Sequence, residues 1–532
     1  MADLDPCFIL AGTPLPPGGA AAMGNKAWNL MRMADAGLPV PPGFVLPTPW
    51  CRARRTEGAD DAALYTALAN GIARLEGATD LTFGSPRRPL LVSVRSGAAI
   101  SMPGMLETVL NVGLNHRTVD GLIRLTGNPR LAWDSFRRLV QGFAEVVAGL
   151  DAAPFEAALR EAVQSAQVET ERELDHLALR ALTGEMLALF DHLAGHPFPA
   201  DPMAQLTQAA AAVFASWDAP KAVSYRRLNL LSDDAGTAVT VQTMVFGNAG
   251  GGSGAGVGFT RDPATGVRAL YFDFCFNGQG EDVVAGRRTL TDSDRLRRLL
   301  PVVYDDLQAT QARLEALFAD VQDFEFTVQE GRLFLLQTRR AQRTPLAALR
   351  IAVDMVEERL ITPAEAMVRL ASVEMDAATR TRFAAPLPAK LAEGVIAGPG
   401  VAAGPIALDT AEAERLAEAG TPPILVRPET ATSDIAGMAR AAGILTAAGS
   451  RTSHAAVVAR QLGKPCLVGC SGLTINLEQR TCRIGDRTLA EGDPISLDGN
   501  DGAIYPGMLG VLTERPEREL AAIESWRHAA VL

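Results

Sequence analysis

A chain of 532 residues with a formal net charge of −11 is too long for one hydrophobic core, so several domains are expected. Its 48% hydrophobic and 21% charged residues are the balance of a soluble globular protein, and acidity without a long basic run argues against nucleic acid as the main partner. No apolar run approaches the ~18 residues of a membrane helix, and the start Met1-Ala2-Asp3-Leu4-Asp5-Pro6 lacks the basic region of a secretion signal, so a cytoplasmic protein with no membrane partner is expected.

Residues 1–115 mix short strands with Gly/Pro turns. A helix opens at Gly24-Asn25-Lys26-Ala27-Trp28-Asn29-Leu30 and ends near Gly37; the segment from Leu38 to Phe44 leads into a strand. Pro89 to Ser96 reads as a buried strand that ends in charge. Residues 117–230 are Ala/Leu-rich with polar faces and read as an inserted helical subdomain. Strands return at Ala238 to Phe246, followed by a glycine loop and a second strand from Val257 to Pro263. A long amphipathic helix is predicted over 291–320, then a hairpin of Phe324–Val328 and Arg332–Gln337 turned at Glu330-Gly331. A helical connector spans 344–390, with Pro386 and Pro388 near its end. A compact strand-rich unit covers 391–510, and the tail 511–532 is predicted as a surface helix. The six cysteines contain no CxxC pair, so Cys466 and Cys470 read as packed thiols rather than zinc ligands.

Three groups of residues carry chemistry. The loop from Gly247 to Gly258 includes Gly252, Ser253 and Gly254, whose backbone could approach phosphate oxygens closely. No helix follows it, so it is not a dinucleotide fingerprint, and strand–loop–strand suggests a lid over a nucleotide. Read alone, it equally fits an unattached hairpin tip. Asp323 and Glu325 alternate onto one strand face and Gln337 closes the next strand; carboxylates and an amide oxygen suit Mg²⁺, although any one of them alone more often faces water. Lys26, Arg95, Arg137, Arg138 and Arg339 are candidate phosphate clamps, since phosphoryl transfer needs positive charge around the moving oxygens. Arg261, in a turn before Asp262-Pro263, fits a structural part equally well.

Beyond these three groups stands the stretch Thr452-Ser453-His454-Ala455-Ala456-Val457-Val458-Ala459-Arg460. A buried strand, Gly443 to Ala447, precedes it, and a helix from Ala455 to Leu462 is stopped by Gly463 and Pro465. Ser453 is a natural N-cap, which puts His454 in the first turn, where backbone N–H groups favour an anion and keep an imidazole nitrogen unprotonated. A histidine that accepts and releases a phosphoryl group needs both effects. A lone histidine at a helix start more often caps or packs, and the rest of the chain outweighs that reading.

Together these segments resemble the N-terminal and central parts of the pyruvate phosphate dikinase family. The matching motifs are Leu90 to Gly97, Ser101-Met102-Pro103-Gly104-Met105, Asn128-Pro129-Arg130, Trp133 to Arg138, Tyr225 to Asn229, Phe259 to Pro263, Asn277 to Gly286, Leu336 to Arg339 and Thr452 to Arg460. The resemblance covers residues 20 to 507. It implies an α+β multidomain protein: an ATP-grasp nucleotide-binding domain over 1–343 with its helical insertion, the connector, then a swivelling β/β/α phosphohistidine domain over 391–510. It implies ATP and inorganic phosphate as substrates and Mg²⁺ as cofactor, with Lys26, Arg95, Gly104, Gly252, Ser253, Gly254, Asp323, Glu325 and Gln337 on the nucleotide. Glu325 and Gln337 would hold the metal. His454, Arg137, Arg138 and Arg339 would be catalytic, and Thr452 is a candidate regulatory position. In the family the histidine receives a pyrophosphoryl group from ATP, phosphate removes the terminal phosphoryl as pyrophosphate, and AMP leaves.

The family's pyruvate site lies on a C-terminal barrel of roughly 200 residues or more. Only 25 residues follow Gly507. The expectation is therefore a separate barrel-bearing acceptor protein for the phosphoryl group. A free-standing dikinase for another small molecule, of the rifampin phosphotransferase kind, and a non-catalytic ATP-binding regulatory protein are the alternatives. Asp273 stands where the family commonly has Glu. The connector and the segment Gly394 to Gly404 are expected hinges.

Overall fold

The computed structural model describes residues 4–56, 60–100, 102, 106–280, 293–375, 378–449 and 453–531. Two compact units emerge, Met1–Ser253 with Thr327–Thr338, and Gly254–Phe326 with Arg339–Leu532.

The first unit is built on an antiparallel sheet in the spatial order Cys7–Ile9, Gly43–Leu46, Ala238–Thr243, Val92–Gly97 and Thr108–Val112. The strand Val92–Gly97 is buried on both faces near its start, as an inner strand is, with Val92 and Val94 on one face and Ser93 on the other. Helices Asp61–Thr79, Pro129–Val146, His176–Ala194 and Pro202–Ala215 share one core with it. The expected helical insertion is present from Thr118 to Leu228, with Asn128, Asp175 and Asp201 accepting N-cap hydrogen bonds at the starts of three of its helices.

In the second unit, Gly254–Phe259 pairs antiparallel with Tyr271–Phe276; the strands Gln322–Gln329 and Arg332–Arg340 complete a four-stranded sheet, their segment Thr327–Thr338 being counted with the first unit. Glu330 (φ 50°) and Gly331 (φ 75°) form the expected hairpin turn. The long helix expected over 291–320 is instead two, Ser293–Leu299 and Pro301–Phe318, because Pro301 has no N–H to continue the first and starts the second. An eight-stranded mixed sheet follows in the order Ala392–Glu393, Ala503–Pro506, Pro494–Asp498, Val401–Ala407, Ile424–Arg427, Gly443–Thr446, Cys466–Val468 and Val395–Gly398.

Three expectations change. The connector contains the helices Pro345–Glu357 and Pro363–Leu370 but finishes in a strand, Arg380–Phe383, paired with Val511–Glu514. The tail is therefore not only a surface helix. Its helix Glu517–Val531 buries Ile523 in the core of the connector helices, with Leu520 and Trp526 on the same side. Nor is Gly394 to Gly404 a loose hinge. It is woven into two paired strands, and Gly398 and Gly404 serve close approach: a Cβ would stand 2.3 Å from the Lys464 carbonyl oxygen and 2.5 Å from that of Pro422, respectively. Arg261 is fully buried in ion pairs with Glu315 and Glu358 at 2.8 and 2.7 Å, a structural role. No described helix is long and apolar enough to cross a membrane.

Candidate active site

In the first unit, two glycines bring the cationic residues together. Gly24 has φ 75°, and a Cβ on it would stand 2.2 Å from the Gly97 carbonyl oxygen, so only glycine fits. Asn25 N–H donates to the Ala98 carbonyl at 2.9 Å. The start of the helix Asn25–Asp35, which carries Lys26, is thereby fixed against the end of the strand that carries Arg95. Both side chains are half-buried. Arg95 lies directly opposite Thr240 on the neighbouring strand, so the two share a sheet face. Thr240 Oγ1 is buried with no hydrogen-bond partner among the described residues. Such a hydroxyl beside an arginine suits an oxygen-rich ligand. Nothing local in the sequence singles out Thr240, because its position depends on a partner far away in the chain.

One turn after Lys26, the buried Asn29 donates from Nδ2 to the Thr338 carbonyl at 3.0 Å. Thr338 is the neighbour of Gln337, so this bond ties the lysine helix to the strand bearing the candidate metal ligand. Asn29 lies within the motif at Lys26, and no local pattern there marks this long-range bond. The glycine loop is also anchored. Gly331 N–H donates to the Gly252 carbonyl at 2.8 Å, and Glu330 N–H donates to Ser253 Oγ at 3.0 Å. A loop held at two points is not an unattached tip. Gly250 and Gly251 have open space where a Cβ would be, leaving their backbone accessible. Gly254 has a packing reason of its own: a Cβ there would meet the Phe274 ring at 2.2 Å.

Arg137 and Arg138 share the buried Asp134. Arg137 Nη2 is 2.7 Å from Oδ1 and Arg138 Nε 3.0 Å from Oδ2, while Glu171 reaches Arg138 Nη2 at 3.3 Å. Burial alone would raise the Asp134 carboxyl; Arg137 and then Arg138 overcome it and hold the group below the usual range. Arg137 is 2% exposed and its charge is matched inside the fold, so Arg138 is the more accessible of the two.

In the second unit, Asp323 is buried and Arg339 Nε bonds its Oδ2 at 2.7 Å. Burial dominates and pushes the Asp323 carboxyl above the usual range, against the pull of Arg339. Glu325, two residues along the same face, adds negative charge. Arg460 is near enough to act on Asp323. Its Nη1 donates to the Ala397 carbonyl at 3.1 Å, and its guanidinium lies 5.8 Å from the Phe259 ring centre. Tyr271 Oη donates to the Ile396 carbonyl at 3.2 Å.

His454 is the first residue of the helix His454–Gln461, after the fully buried strand Gly443–Thr446, as expected. Ser453 holds the N-cap position, but its hydroxyl makes no capping bond; it is buried with no partner among the described residues. Ala455, Ala456 and Ala459 are buried against the sheet, so the small residues around the histidine allow close helix–sheet packing. The His454 side chain, Gly104, Thr452 and Glu281 to Gly286 lie outside the described residues. Burial pushes the Cys466 thiol up to about 12 and that of Cys482 to about 11; together with the buried Cys470, these are inert packed thiols.

Asp323 and Glu325, both in the second unit, carry carboxylate oxygens of the hard type that Mg²⁺ takes; Gln337 belongs to the first unit. Among the described residues, no cluster of three or more His, Cys, Asp or Glu could hold a metal ion.

Two family models match this chain. Residues 60–303 match the pyruvate phosphate dikinase AMP/ATP-binding domain, and residues 420–502 match the mobile domain of PEP-utilising enzymes. They define a multidomain α+β protein with an ATP-binding N-terminal part followed by a PEP-utilising mobile domain. Among similar proteins, pyruvate, phosphate dikinase of Clostridium symbiosum is 44% identical over 493 residues, 91% of this chain and 56% of that protein. Pyruvate, phosphate dikinase 1, chloroplastic, of Zea mays is 42% identical over 508 residues, 95% of this chain and 54% of that protein. The chain belongs to the pyruvate phosphate dikinase family. It spans about half the length of the curated relatives it matches.

Proposed function

We propose that this chain carries out the nucleotide half of a dikinase reaction. An imidazole nitrogen of His454 attacks the β-phosphorus of ATP, and the bond from that phosphorus to the oxygen bridging the α-phosphate breaks, so AMP leaves with the electron pair. Inorganic phosphate then attacks the terminal phosphorus, pyrophosphate departs, and His454 keeps one phosphoryl group.

The observation that supports this most is the Gly24–Gly97 apposition, which joins the backbone bearing Lys26 to the strand bearing Arg95. Two cations at one end of a sheet would neutralise the phosphates and the charge that develops during transfer. The anchored loop through Gly252 and Ser253 would close over the nucleotide. Arg339, paired with Asp323, and Arg138, paired with Asp134, would orient the charged groups around the transferring phosphoryl. Asp323, Glu325 and Gln337 would hold Mg²⁺, which when bound supplies charge neutralisation between phosphate oxygens.

The residues form an ATP-grasp nucleotide domain over 1–343 and a swivelling phosphohistidine domain over 391–510 in this reading. The charged histidine would pass its phosphoryl to pyruvate on a barrel-bearing unit, met as a separate protein. The greater length of the relatives is equally compatible with such a unit joined in one polypeptide.

ATP labelled at the β-phosphorus, with Mg²⁺ and phosphate, should leave acid-labile label on the protein and none on the His454→Ala variant. Label retained by that variant would overturn the assignment. Adding a barrel unit from a relative, with pyruvate, should discharge the label in proportion to the barrel concentration; a charged protein that no barrel discharges has another acceptor.

A further inference from the structure

We propose that a cavity in the helical region of the first unit binds a small zwitterion with an aromatic body, an aromatic amino acid in the simplest case. The cavity has a volume of about 850 Å³, and none of the candidate nucleotide or phosphohistidine residues lines it. Sites of ~300–1,000 Å³ are typical for small organic ligands.

Its floor is aromatic and rigid. Phe136 is 1% exposed, and its ring lies 6.3 Å from that of Phe198. Phe198 is further fixed edge-on against Phe143 at 5.1 Å and Phe190 at 5.5 Å. Such a cluster offers a ligand ring a fixed edge-to-face partner. Met203 adds an adaptable apolar wall.

Apart from His116, whose ring packs edge-on against Phe136 at 5.6 Å, the polar groups at the mouth divide into two kinds. Asp201 caps the next helix by accepting from Ala204 N–H at 3.0 Å, and Asn115 accepts from Arg117 N–H and donates to the Ala200 carbonyl, each at 2.8 Å. These groups shape the mouth. Arg117, just before the helix Thr118–Thr126, and Asp191, in the helix His176–Ala194, also line the cavity; both are exposed, and neither side chain has a polar partner among the described residues. A simple anion would meet Asp191, and a simple cation would meet Arg117. A ligand with a carboxylate for Arg117, an ammonium for Asp191 and a ring for the floor satisfies all three.

Titration calorimetry of the full chain with L-tryptophan, indole-3-propionate and tryptamine tests this. One tryptophan should bind, about tenfold or more tighter than either compound that lacks one charge. Arg117→Ala should weaken tryptophan by about tenfold while leaving tryptamine unchanged, and Asp191→Asn should weaken it equally while leaving indole-3-propionate unchanged. Ala188→Trp, at an exposed position of the lining, should abolish binding of all three with an unaltered circular dichroism spectrum. Absence of tryptophan binding to the folded wild type would overturn the proposal. So would tryptophan affinity no better than that of the single-charge compounds, or binding that survives Ala188→Trp.

Discussion

Gly24 stands so close to Gly97 that a Cβ on it would lie 2.2 Å from the Gly97 carbonyl oxygen, and its φ of 75° is strained for any residue with a side chain. The obstacle is backbone, which cannot swing aside. Gly24→Ala should therefore cost ~2 kcal/mol or more in urea unfolding and displace the helix that carries Lys26. An unfolding midpoint equal to that of the wild type would show that the apposition is not tight.

Asp134 is the buried carboxylate that both Arg137 and Arg138 need. Asp134→Asn leaves Arg137 inside without its closest countercharge, and a loss of about 3 kcal/mol is expected. Because its folded pKa is lowered, the aspartate contributes stability that is full above its unfolded value of ~3.9 and is lost as pH falls through the folded value. The gap between wild type and variant, followed by urea unfolding, should shrink only in that acidic window.

Asp323 has the opposite sign. Burial raises its folded pKa, so its contribution is most favourable below ~3.9 and is lost as pH rises through the folded value. Compared with Asp323→Asn, the wild type should lose relative stability between about pH 4 and its raised folded value. A gap that widens in favour of the wild type over that range would mean that the Arg339 pair, not burial, governs the group.

The contacts of Tyr271 with Ile396 and of Arg460 with Ala397 and Phe259 join the strands around Phe259 to Val395–Gly398, the edge strand of the eight-stranded sheet. With Gly394 to Gly404 held by pairing, the swivel proposed above would turn in the segment before Ala392, where Lys390 is exposed. Tyr271→Phe combined with Arg460→Ala should remove ~1 kcal/mol per lost hydrogen bond and speed tryptic cleavage at Lys390. Cleavage at the wild-type rate would place the turning point elsewhere.

Mg²⁺ and nucleotide separate two roles. Mg²⁺-ATP at about 100 times its dissociation constant should stabilise the wild type by ~2.7 kcal/mol in thermal unfolding. Glu325→Gln should lose most of the Mg²⁺-dependent part, whereas Lys26→Ala should weaken nucleotide binding with or without the metal. Identical responses in both variants would mean that neither residue meets the ligand as assigned.

Local patterns were enough to read several elements. The Glu330-Gly331 turn, the strand before His454, the helix after it and the helix at Lys26 depend on turn chemistry, capping and periodicity over a few residues. The family, too, was legible, because its motifs are short contiguous runs. Other features depend on residues far apart in the chain, which only folding brings together. Thr240 opposite Arg95, Asn29 on the Thr338 carbonyl and Ile523 in the connector core are of this kind. The glycines from Gly394 to Gly404 read as flexible because glycine permits flexibility; the structure uses several of them for close backbone approach instead. Sequence determines which residue can take a conformation or carry a charge. Which backbone or countercharge stands beside it is decided by tertiary packing, and that neighbour sets whether a glycine is a hinge or a contact and whether an arginine is a clamp or half of a buried pair.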